Sequence, residues 1–86
     1  MTTTMDELLR YATDRGWTLH HEHSPYDDTL YLVKQVDRTV ELKVTFRDPY
    51  RVAEAQGRRH DAIGRIQILR VLGGVSAIKK FIREAE

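Results

Sequence analysis

The chain has 86 residues, no cysteine, 41% hydrophobic and 31% charged residues, a mean hydropathy of −0.53 and a formal net charge of +1. That length fits one domain spanning 1–86 with a thin core, and the lack of cysteine excludes disulfides, Cys-ligated zinc and thiol catalysis. No apolar run approaches the roughly 20 residues of a membrane span and the first seven residues lack a signal-peptide stretch, so a cytoplasmic, non-membrane protein is expected.

The first expected element is a helix over about Met5 to Arg15. Thr4 and Glu7 have the spacing of a capping box, Met5, Leu8, Leu9 and Ala12 form the apolar stripe, and Gly16 stops the helix. Trp17 to His23 alternates and reads as a strand, with Trp17, Leu19, His21 and His23 on one face. Ser24-Pro25-Tyr26-Asp27-Asp28 is a turn cluster. A second strand follows over Thr29 to Gln35, Val36-Asp37-Arg38 makes a hairpin, and the third strand covers Thr39 to Phe46. In that strand Val40, Leu42, Val44 and Phe46 face the core, while Glu41, Lys43 and Thr45 share the other face.

Asp48-Pro49 has the form of a helix start. A second helix is expected to run from there toward Gly64, with Val52, Ala55, Ala62 and Ile63 inward. Arg65 to Leu72 reads as a short strand from its β-branched content, although Ile66, Leu69 and Arg70 would also suit a helix. After Gly73-Gly74, the residues Val75, Ile78, Phe81 and Ile82 define a final helix. The expected fold is a small α/β mixed sheet in the order α-β-β-β-α-β-α. If 65–72 is helical, the order becomes α-β-β-β-α-α, which is similar to a double-stranded-RNA-binding domain.

Charge divides unevenly along the chain. Residues 1–46 carry five Lys/Arg against eight Asp/Glu (−3), and residues 47–86 carry nine against five (+4). Asp28 opens the second strand, and Glu41 and Lys43, two apart, point the same way from the third. Two carboxylates brought together on a hairpin would make a hard-oxygen site for Mg²⁺ or Mn²⁺. A lysine beside the ion would position or deprotonate the attacking water.

In these features the chain resembles the restriction-endonuclease-like PD-(D/E)xK nuclease superfamily, in the style of its small phage-type and Holliday-junction-resolvase-like members. The resemblance rests on Glu7 in the first helix, Gly16-Trp17, Pro25-Tyr26-Asp27-Asp28 leading into Thr29 to Val33, and Val40-Glu41-Leu42-Lys43-Val44. Gln56, early in the expected second helix, also fits. It implies that Asp28 and Glu41 hold the metal with Glu7 as an auxiliary ligand. Lys43 would act on the water, with Gln56 assisting the chemistry. Tyr26 separates Pro25 from the aspartates, which leaves Asp27 as an alternative to Asp28. The implied activity is metal-dependent hydrolysis of DNA phosphodiesters.

Three further features bear on partners. His21 and His23 share a strand face and, with His20, His60 or Asp27, invite a zinc reading. Arg58, Arg59, His60, Lys79 and Lys80 would form a phosphate track for nucleic acid, DNA before RNA, and Tyr26, Tyr31 and Tyr50 offer stacking surfaces. The alternative to an enzyme is a phage-like accessory module that binds nucleic acid or a host protein without catalysis. A homodimer would give so small a fold more surface.

Overall fold

Two helices cover one face of a five-stranded sheet in which each strand pairs with its neighbour in sequence. The computed structural model describes residues 3–35, 39–60 and 63–84. The elements are α1 (Thr4–Asp14), β1 (Thr18–His23), β2 (Asp28–Gln35), β3 (Thr39–Asp48), β4 (Arg51–His60), β5 (Ile66–Arg70) and α2 (Gly74–Glu84). The sheet order is β1-β2-β3-β4-β5 and every pairing is antiparallel. Neither helix is long and apolar enough to cross a membrane.

Helix α1 begins one residue before its expected start. Thr3, rather than Thr4, is the N-cap, and its hydroxyl accepts from the Asp6 N–H at 3.1 Å. A further N-terminal donor, the Met5 N–H, is satisfied by the Pro49 carbonyl at 3.0 Å, tying the helix to the β3–β4 turn. At the other end Trp17 N–H bonds Ala12 O and Gly16 N–H bonds Thr13 O, with Gly16 at φ +84°. This is a Schellman closure, in which a left-handed glycine turns the last carbonyls back onto the chain.

The core is one cluster. Leu8 and Ala12 of α1 and Ile78 and Ile82 of α2 pack on Leu30 and Leu32 of β2, Leu42, Val44 and Phe46 of β3, and Ala55 of β4, with Trp17 at the corner. Strand alternation then turns Tyr31, Val33, Glu41, Lys43 and Thr45 to the opposite face, which no described helix covers.

The α/β class with flanking helices stands, but the order is α-β-β-β-β-β-α and the sheet is wholly antiparallel. Both expected orders place a helix after β3, where the chain instead forms β4. Asp48 does not cap a helix; its carboxylate accepts the Tyr50 N–H at 2.9 Å, making an Asx turn that reverses the chain. The β3–β4 register pairs Thr45 with Glu54 and Phe46 with Val52, so Ala53 is an extra residue. This bulge puts Val52 and Ala55 on the core side three positions apart, a helical spacing produced by an interrupted strand. Ile63, expected inside, is 74% exposed, and Ala62 and the hairpin residues 36–38 lie outside the described residues. Residues 66–70 are a strand, as the β-branched content indicates, which removes the double-stranded-RNA-binding order.

Candidate functional site on the open sheet face

Antiparallel register stacks side chains in rows perpendicular to the strands. On the uncovered face one such row crosses all five strands: His20 pairs with Tyr31, Tyr31 with Lys43, Lys43 with Gln56, and Gln56 with Arg70. At a strand spacing of about 4.8 Å, the row is about 19 Å long. It contains an aromatic ring, an amide, an imidazole and two permanent cations, and no carboxylate. Tyr31 sits between its neighbours, with the His20 ring centroid 6.1 Å away and the Lys43 ammonium 5.9 Å from its ring centre. The ammonium is within range of a cation–π contact.

The adjacent row is Thr18, Val33, Glu41, Arg58 and Ile68. Its single carboxylate, Glu41, lies 4.0 Å from the Arg58 guanidinium, and both side chains are about half exposed. That exposed pair contributes little to stability; its consequence is to neutralise the acid on this side of the Tyr31–Lys43–Gln56 row. The row on the other side, Glu22, Thr29, Thr45 and Glu54, carries two more carboxylates, of which Glu22 lies 3.5 Å from His20. Between the two rows lies a depression of about 450 Å³ lined by Tyr31, Val33, Glu41, Lys43, Gln56 and Arg58.

The residues expected to share a metal ion do not meet. The β2–β3 register places Asp28 opposite Phe46 and Glu41 opposite Val33, so the two carboxylates are five residues apart along the ladder, about 17 Å. They are also on opposite faces, because Asp28 has the parity of buried Leu30 and Leu32. Glu7 lies in the helix layer, where it pairs with Lys79 of α2 at 2.5 Å. Gln56 does come beside Lys43 and Glu41, from a strand rather than from a helix. Among the described residues no three His, Asp or Glu side chains are grouped to hold a metal ion.

Asp28 has other partners. Its Oδ1 accepts from His23 Nδ1 at 2.6 Å and from His21 Nε2 at 3.0 Å, at the β1 edge on the helix side of the sheet. Those two hydrogen bonds, that from His23 foremost, hold the Asp28 carboxyl below its ordinary pKa. The expected zinc set is thus a histidine–carboxylate cluster in which the acid occupies the space between the two rings. His20 faces the other side, and His60 bonds the Thr39 carbonyl at 3.3 Å.

The expected phosphate track is divided as well. Arg58 and His60 point to the open face and Arg59, by alternation, to the helix side. Lys79 is engaged with Glu7 and with the Tyr11 ring, 5.3 Å away, and Lys80 pairs with Glu84 at 3.9 Å. Sequence reasoning named Tyr31 only as one of several rings, because the row that joins it to Arg70 depends on β4 being a strand. Comparison with known proteins gives no significant match to any family model, curated protein or solved structure.

Proposed function

We propose that this protein is a non-enzymatic module that binds single-stranded nucleic acid across its open sheet face. The observation that carries this reading is the row His20–Tyr31–Lys43–Gln56–Arg70. Single strands are held by aromatic rings on which bases stack and by cations that follow the phosphates, and a bare antiparallel sheet face is a common platform for both. Tyr31 supplies the ring, Lys43 and Arg70 the cations, and Gln56 an amide able to donate to and accept from a base edge. Arg58, already balanced by Glu41, is available for exchange onto a phosphate. Metal-assisted hydrolysis, by contrast, would need Asp28 and Glu41 on one ion, and the sheet separates them.

The test is fluorescence anisotropy of a labelled single-stranded oligonucleotide. Affinity is expected to fall steeply with salt, and Tyr31→Ala is expected to weaken it by about 1–3 kcal/mol, the usual contribution of one base–ring stack. Unchanged affinity in Tyr31→Ala and Lys43→Glu, both still folded, would remove the open face from nucleic-acid binding.

A further inference from the structure

Exposed apolar residues gather at the free edge of β5. Among the described residues, four of the seven exposed large hydrophobic ones, Ile63, Ile66, Ile68 and Leu72, lie in or beside this one strand. Ile66 and Ile68 are each 55% exposed. The strand has no proline, no lysine and no bulge, and its one charged residue, Arg70, stands at its end. The opposite edge, β1, is guarded by three histidines and Glu22.

The direction of the free backbone groups follows from the ladder. Val71 N–H bonds the Ala55 carbonyl, and the register pairs Leu69 with Gly57 and Gln67 with Arg59. Antiparallel hydrogen bonding alternates by residue, so the odd positions bond inward to β4. The N–H and C=O groups of Ile66, Ile68 and Arg70 therefore point outward from the sheet.

We infer that β5 pairs antiparallel with β5 of a second copy of this chain, about a two-fold axis at Gln67. The occupant is set by self-complementarity. In this register Ile66 stands opposite Ile68 of the second copy, and Ile68 opposite its Ile66. The four isoleucines then form one cluster on the open face, and the outward groups of Ile66 and Ile68 are satisfied reciprocally. Charge does not oppose the contact: each chain has a net charge of +1. Within β5 the one charged residue, Arg70, lies at the end of the strand, three positions from the axis and so about 20 Å from the other Arg70. A two-fold pairing closes on itself and consumes both edges, leaving the guarded β1 strands outermost. The two open faces then become one continuous surface.

Because the chain has no cysteine, a single introduced thiol reports the register. Gln67→Cys sits at the two-fold axis in a non-hydrogen-bonded pair with Cα atoms about 4.5 Å apart, within disulfide range. Ile68→Cys would place its two thiols on Cα atoms about 8 Å apart in this register, beyond that range. Light scattering of the wild-type chain is expected to give twice the 10.1 kDa chain mass. Gln67→Cys is expected to oxidise to a covalent dimer and Ile68→Cys not to, with Ile68→Lys returning the single-chain mass. A single-chain mass at every concentration would overturn the inference and leave the edge to an extended segment of another protein. A dimer in which the two cysteine variants cross-link equally would overturn it too.

Discussion

Asp28 receives two histidine hydrogen bonds on one carboxylate oxygen, and its pH behaviour follows. Its folded pKa is lowered, chiefly by the His23 bond and then by that from His21. The native state therefore binds that proton more weakly than the unfolded chain does. The stabilisation is fully present above the ordinary carboxylate range and is lost as pH falls through the folded value. Thermal melts between roughly pH 2 and 6 should show an acid-side loss in the wild type that is smaller in Asp28→Asn. Identical profiles would mean that the two histidines do not act on the folded carboxyl.

Gly57 gives a second residue-scale prediction. It is buried in the middle of β4, where an added Cβ would overlap the Phe81 ring of α2. Glycine in a strand marks such a close approach. Gly57→Ala is expected to destabilise the fold by about 1–3 kcal/mol through overpacking, read as a lower urea midpoint. A neutral result would place α2 farther from the sheet.

Among the elements, α1 is closed at both ends by residues within a few positions of its apolar stripe, and so its extent was legible in sequence to within one residue. Gly16 has a positive φ and open space around it. Gly16→Ala is expected to cost about 1 kcal/mol from conformation alone, again by urea denaturation. β4 was not legible, for a local reason: the bulge at Ala53 shifts the inward parity by one and turns a period of two into a spacing of three. Asp48-Pro49 has the same composition whether it caps a helix or turns a hairpin, and only pairing with β3 decides between them. The separation of Asp28 from Glu41 was within reach of the sequence. A hairpin closing Gln35 on Thr39 fixes Val33 opposite Glu41, and parity then excludes Asp28 from that face.

At the scale of the molecule, the sheet has one face spent on the core and one left open. Chemistry-bearing residues that the sequence scatters between His20 and Arg70 become a single line only when all five strands pair in chain order. Binding through that line needs no divalent ion, so chelating metals should leave oligonucleotide affinity unchanged, as read by anisotropy with and without EDTA. Loss of binding on chelation would instead point to a bridging cation. The most direct measurement is a titration of the isotopically labelled protein with a short single-stranded oligonucleotide, followed residue by residue by NMR. Saturable shifts concentrated at His20, Tyr31, Lys43, Gln56 and Arg70, with α1 and α2 silent, are the expected result. Shifts confined to the helix layer, or none at low salt, would contradict an open-face nucleic-acid site.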